Sequence, residues 1–393
     1  MIFDESLNLN YKYFINNNYN KLSLKDINNL MSKFIHFYFY IENKGIYKIK
    51  YCIGKGVTGR VSNKNIYFKI FKCRCLLNNE YYALKEIPKK KLLGFNKLFA
   101  AMKEPDILKK LKNYNFVPNI ISSFQDYDNL YLIINYFEGN ILFNYRKKYF
   151  SEEQIKFISA CIIQSLFYLR KEEIINRDVR MKNIIMDKKR YLNLIDFSYS
   201  IKYSDKNISK SHIVADILET PPEMINHSIY DYNSDYYRIG VIMYYLIFKK
   251  FVNAVKRENN ITQIIINHKN IKNYSLLCID FMNKLLISDY KKRIGFKTIE
   301  ELKNHLWFKG FDWKKFEKKK IKSPLKFMER NFKKNIHCKR FEITKEAKIK
   351  FKNKRYNTCY RKLIKNYDFV NKGITKHIFY SFKKKYKSGY FNK

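Results

Sequence analysis

At Ser151 the hydrophobic pattern of the chain changes its period, and that change limits the fold more than any other feature. Upstream, from residue 46 to about 87, the runs IYKIKYCI, IYFKIFKCRCLL and YYALKEI are separated by Gly or Asn turn signals and read as β-strands. MKEPDILKKLKNY then reads as a helix and LYLIINYF as a further strand. Downstream, SEEQIKFISACIIQSLFYLRK opens on a capping-box pair, Ser151 and Gln154, and its apolar residues recur every three to four positions. YYRIGVIMYYLIF is apolar all round, which a helix tolerates only when buried. A small β-rich unit therefore precedes a larger helical one, with no internal repeat and no Gly/Ser linker between them.

The 393 residues allow a large buried core. A net charge of +44 points to anionic partners, although a composition rich in Lys, Asn, Ile, Tyr and Phe also reflects an AT-biased coding sequence. Residues 314–393 hold 28 Lys and Arg against 5 Asp and Glu, so about half of the excess lies in the last fifth of the chain. Seven scattered cysteines form no disulfide framework, and Cys73-x-Cys75 lacks a second ligand pair at zinc spacing. Asp4 and Glu5 without a basic-then-apolar run argue against a signal peptide. The longest apolar stretch, IGVIMYYLIF at 239–248, is about half of a membrane span. The expectation is a soluble intracellular protein, cytoplasmic or nuclear. Residues 1–45 read as a polar extension with one helix, marked by Leu24, Ile27, Leu30, Met31 and Phe34.

INRDVRMKNIIMD, at 175–187, crowds Arg177, Asp178, Arg180, Lys182 and Asn183 between aliphatic runs. Its meaning depends on what stands at fixed distances. GKGVTGRV supplies Gly54, Gly56 and Gly59 with Val61 following, a spacing that lets backbone N–H groups approach phosphate. A dinucleotide fold would begin a helix here, whereas the following residues read as strand and favour a hairpin flap. Lys85 lies on the next strand but one, and Glu104 follows 19 residues later on a helix. By themselves these two could be surface charges.

Taken together, NRDVRMKN resembles the catalytic loop of eukaryotic protein kinases, and LIDFSYS resembles their metal-binding Asp-Phe-Gly segment. TPPE at 220–223 resembles the Ala-Pro-Glu motif, Asp235 and Gly240 resemble the Asp and Gly of the buried helix, and DYKKRIG contributes Arg293. The resemblance implies an α+β, bilobal protein-kinase fold, with a small antiparallel β-sheet lobe carrying helix C at 46–133 and a larger, mainly α-helical lobe at 134–313. It implies ATP and Mg2+ as cofactors. Lys85 would hold the α and β phosphates, Glu104 would orient Lys85, and Asn183 with Asp196 would bind the metal. Asp178, in the base position, would accept the substrate hydroxyl's proton or at least orient that hydroxyl, with Arg180 the cation for the γ-phosphate. Adenine would lie between Ile53, Val61 and Ala83 above and Ile185 below, with Ile134 as gatekeeper and the backbone of Asn135 and Phe137 as hinge.

EELKNHLWFKGFDWKKF, followed by IKSPLKF, resembles the end of the kinase domain and the C-terminal tail of the AGC group, which includes cyclic-nucleotide-dependent and YANK kinases. Such kinases modify Ser or Thr. Residues 314–393 would then form a basic tail wrapping back over the small lobe, with Phe379 and Phe382 as a candidate docking pair. Several positions depart from the family pattern. Asn176 replaces the usual His, and Ser198 replaces Gly, restricting the segment's switching. Pro105 beside Glu104 costs about 3 kcal/mol inside a helix, so the helix either starts near Glu104 or is kinked. Asp216 stands near where Ser/Thr kinases carry Thr, and Ser209 and Ser211 are candidate activating phosphosites, since Arg177 could pair with a phosphate. Ile141, Lys182 and Tyr245 occupy the places of three carboxylates that read basic substrates, so Arg-directed selection is not expected. The partners implied are protein substrates, a regulatory subunit or activating kinase, and an acidic protein, nucleic acid or membrane surface for the tail. The alternative reading is an ATP-binding pseudokinase scaffold.

Overall fold

The computed structural model describes residues 47–57, 66–75, 78–92, 95–125, 129–205, 218–226, 230–252, 266, 273–326 and 369–370. The expected helix near 24–34, Gly59, Val61, Ser209, Ser211, Asp216, Phe379 and Phe382 lie outside them.

The small lobe is built on β1 (Tyr47–Val57), β2 (Ile66–Cys75), β3 (Tyr81–Pro88), β4 (Ile120–Gln125) and β5 (Asn129–Asn135). Their order is β1-β2-β3-β5-β4, every pairing is antiparallel, and Phe369–Val370 adds a short strand on the outer edge of β4. The three strands expected from 46 to 87 are present. β4 was not expected, because IISSFQ carries two serines where a strand signal needs apolar or β-branched residues. Successive residues of β3 alternate between faces, so Tyr82 and Leu84 enter a core with Cys52, Phe71, Cys73 and Ile133. Ala83 and Lys85 consequently share the opposite face.

Helix α1 (Phe95–Lys110) begins well before Glu104 and runs through Pro105. Proline cannot donate its bond to the Ala101 carbonyl, yet the helix continues because Ala101, Glu104, Ile107 and Leu108 bury one face at helical spacing. Burial outweighs the local propensity here.

The large lobe comprises α2 (Glu152–Lys171), β6 (Ile174–Ile175), β7 (Ile184–Met186), β8 (Leu192–Leu194), β9 (Ile201–Lys202), α3 (Pro222–Asn226), α4 (Tyr232–Phe248), α5 (Leu276–Leu285), α6 (Glu300–Lys303) and α7 (Trp313–Glu317). The capping box of α2 is formed: Gln154 N–H donates to Ser151 Oγ at 3.3 Å and Ser151 N–H donates to Gln154 Oε1 at 3.1 Å. α4 is buried almost all round, as its continuous apolar run requires. A Cβ on Gly240 would stand 2.9 Å from Leu286 side-chain atoms, so glycine is what lets the end of α5 approach α4. Phe316 and Leu325, beyond the kinase motifs, complete the same core. Among the described residues no helix is long and apolar enough to cross a membrane.

The second structural anchor is ionic. Arg293 donates through Nη1 to Glu223 Oε1 at 2.7 Å and through Nη2 to Glu223 Oε2 at 2.9 Å, and both side chains are almost completely buried. Removing one partner of such a pair strands the other charge in the core. Arg293→Ala is therefore expected to destabilise the protein by roughly 3–5 kcal/mol, read as a lower denaturant midpoint at unchanged slope; a loss below about 1 kcal/mol would contradict it.

Candidate active site

Lys85 reaches from β3 into the space between the lobes, where its Nζ lies 2.8 Å from both carboxylate oxygens of Glu104. The same nitrogen is 3.2 Å from Asp196 Oδ1 and donates to Ser198 Oγ at 2.7 Å. Lys85 and Glu104 are buried, so this ammonium is shared by three elements at low solvent exposure. Burial by itself would lower the Lys85 pKa, but Asp196 and Glu104 outweigh it and hold the ammonium above its ordinary value. Burial raises Glu104, against the pull of Lys85. Asp196 is held below its usual value because Lys85 and the Ser198 hydrogen bonds overcome its burial.

Ser198 was expected only to restrict the segment. Its φ does not fall among the left-handed residues, and its hydroxyl donates to Asp196 Oδ1 at 2.6 Å while accepting from Lys85. The oxygen therefore joins the ionic cluster, a role legible only once the fold brings Lys85 to it. The left-handed strain sits two residues earlier, at Asp196, φ 66°, and at Arg177, φ 71°.

Asp178 lies in the loop between β6 and β7. Its Oδ2 accepts from Asn183 Nδ2 at 2.7 Å, and Arg180 Nε stands 3.3 Å from Oδ1. Burial pushes the Asp178 carboxyl up to about 6, against the opposing pull of Arg180 and Arg238. The loop is pinned from beneath by Asp235 of α4, whose two oxygens accept from the N–H groups of Asn176 at 2.8 Å and Arg177 at 3.0 Å. Asn176 supports the loop as well: its Oδ1 accepts from Asp178 N–H at 3.0 Å, and its Nδ2 donates to Ser200 Oγ at 3.3 Å. Arg180 also lies 3.5 Å from Glu219, a contact that sequence reasoning missed because Glu219 matches no motif.

Asn183 and Asp196 are neighbours through the Ile195 N–H, which donates to Asn183 O at 2.7 Å. Asn183 donates through Nδ2 to Asp178, and its amide oxygen and the Asp196 carboxylate are hard oxygens of the kind that could hold magnesium. No group of three His, Cys, Asp or Glu that could hold a metal occurs among the described residues, so such an ion would complete its shell with phosphate and water oxygens.

Of the expected adenine contacts, Ala83 on β3 pairs with Ile134 on β5, Ile185 on β7 is buried beneath and bridges to Ile141, and Ile53 and Gly54 lie on β1. Gly56 is in β1 opposite Phe68. Asn135 N–H is engaged by Asn119 O at 3.2 Å. Phe137 follows β5 in the segment joining the lobes.

Comparison with known proteins agrees with this geometry. The protein kinase domain family matches residues 47–308. A probable serine/threonine-protein kinase of Dictyostelium discoideum is 32% identical over 70% of this chain and 59% of its own length. The serine/threonine-protein kinase sgk-1 of Caenorhabditis elegans is 30% identical over 69% and 58%, and the cAMP-dependent protein kinase catalytic subunit of Schizosaccharomyces pombe 28% over 63% and 49%. The matched region thus spans about half to three fifths of these relatives. Their names agree with the Ser/Thr-kinase and AGC-group resemblance of the sequence. With more than half of its length matched, the chain belongs to the protein kinase domain family.

Proposed function

We propose that this protein transfers the γ-phosphoryl group of ATP to Ser or Thr hydroxyls of protein substrates. The observation that carries this reading is the single buried ammonium of Lys85, held between Glu104 and Asp196. Phosphoryl transfer is mostly positioning and charge neutralisation, and a fixed cation beside a metal-binding carboxylate supplies both.

In this reading Lys85 holds the α and β phosphates, with Glu104 fixing its direction. Asn183 and Asp196 hold magnesium, which when bound offsets the charge of the triphosphate. Asp178 orients the acceptor hydroxyl and takes its proton as that oxygen bonds to the γ-phosphorus and ADP departs. Arg180, partly exposed beside Asp178, offers a guanidinium to the transferring group. Gly54 and Gly56 on β1 cover the phosphates. Ile53, Ala83 and Ile185 sandwich the adenine, with Ile134 at its rear. Because the Asn135 N–H is already engaged, a hinge contact there uses its carbonyl.

Substrate choice follows from the departures at the acceptor side. Lys182 Nζ lies 5.0 Å from the Phe143 ring and Tyr245 packs on Phe251, so these positions present a cation and an aromatic ring where carboxylates would read arginine.

Purified protein with Mg-ATP is expected to phosphorylate itself or a peptide library. Asp178→Asn should lower kcat by at least about 10²-fold with little change in the KM for ATP. Lys85→Met should impair nucleotide handling as well. Activity that survives Asp178→Asn would defeat the assignment. On a peptide array, enrichment of arginine upstream of the acceptor is not expected, and its dominance would refute the substrate reading.

A further inference from the structure

Arg238 stands on α4, one turn beyond Asp235 and between the motif residues Asp235 and Gly240 without being either of them. It is 1% exposed and among the largest fully buried side chains, yet Nε, Nη1 and Nη2 all lack a hydrogen-bond partner. A guanidinium taken out of water without acceptors is strongly unfavourable, so it persists only where a nearby anion compensates. Its ion-pair contact is with the catalytic loop: Nη1 lies 3.6 Å from Asp178 Oδ1. That same Oδ1 is buried and has no hydrogen bond, whereas Oδ2 is already engaged by Asn183. Asp235, one turn back on the same helix, also lies in the field of Arg238, but its oxygens, like those of Glu223, already have hydrogen-bond donors. Asp235 accepts two backbone N–H groups, and Glu223 is taken by Arg293.

We propose that Arg238 is a positioning residue for phosphoryl transfer: from the core helix beneath the loop, its guanidinium steers Asp178 Oδ1 toward the acceptor hydroxyl. The inference rests on the reading of Asp178 as the group that orients that hydroxyl. Arg180 approaches Oδ1 from the open side of the cleft, with 23% of its side chain exposed, and Arg238 approaches from the closed side with 1%. The carboxylate thereby lies between two guanidiniums, one partly exposed and one enclosed by the core. A delocalised, weakly hydrated guanidinium is less costly to bury beside the carboxylate than a compact, strongly hydrated ammonium, which accounts for arginine rather than lysine. The arrangement also gives the helix a second use, since Asp235 sets the loop's backbone and Arg238 sets one of its side chains.

The test separates turnover from nucleotide binding. Arg238→Gln is expected to lower kcat about 10²-fold, as misplacement of a reacting group does, while the KM for ATP and the thermal shift induced by Mg-ATP stay at wild-type values. Arg238→Lys, with charge kept but reach and planarity lost, should fall about tenfold in kcat at unchanged KM for ATP. In an Asp178→Asn background neither change should reduce the residual rate further, because Arg238 acts through that carboxylate. If Arg238→Gln does not fold, Arg238→Lys decides. Wild-type kcat in either variant, a KM and thermal shift that move together with kcat, or an additional loss in the Asp178→Asn background would each overturn the role. A wild-type protein without phosphoryl transfer would instead remove the catalytic reading on which the role rests.

Discussion

A single ammonium, Lys85 Nζ, connects the parts of this protein that matter to its chemistry. It is supplied by β3, clamped by Glu104 of α1, and shared with Asp196 and Ser198 from the other lobe. A buried cation of this kind is stable only while its anions stay within hydrogen-bond reach, so the register of the small sheet, the placement of α1 and the closeness of the lobes are tied to one another. Where the departure at Ser198 removes the conformational freedom of glycine, it adds a hydroxyl to the same cluster. The segment after β8 is thereby bonded to Lys85 and Asp196 at once.

Beneath this cluster the large lobe works as a rigid floor. α4 is enclosed on nearly all sides, and its buried polar groups are directed to specific tasks: Asp235 to the loop backbone, Arg238 to the Asp178 carboxylate. Glu223 and Arg293 close the base of the same structure with two short charge-assisted bonds. Charges that deep are unfavourable singly and become tolerable in pairs, which ties their presence to the geometry that pairs them.

Much of this was legible beforehand, for identifiable reasons. Long helices declared themselves through period and caps, as with Ser151 and Gln154, because both signals are local. The order of motifs grouped Lys85, Glu104, Asp178, Asn183 and Asp196, and the fold joins Lys85 to Glu104 and Asp196 and Asn183 to Asp178 although no two are adjacent in the chain. β4 was missed because its serines, buried in the sheet, look polar in a linear reading. The course of α1 was not decided by Pro105, since the energy of burying Ala101, Ile107 and Leu108 is a tertiary quantity. Arg238 was overlooked because an arginine in an apolar helix announces burial but not its partner.

The amino-acid order alone determined the division into a β-rich and a helical part, the family, and the residue types available for phosphate and metal. Those follow from periodicity and from side-chain chemistry, which need no third dimension. Tertiary structure decided that Ser198 shares the Lys85 ammonium, that Arg180 meets Glu219, and that Arg238 faces Asp178. Each of these joins residues separated along the chain or changed in role by burial, and electrostatic energy depends on the distance and solvent exposure that only folding assigns.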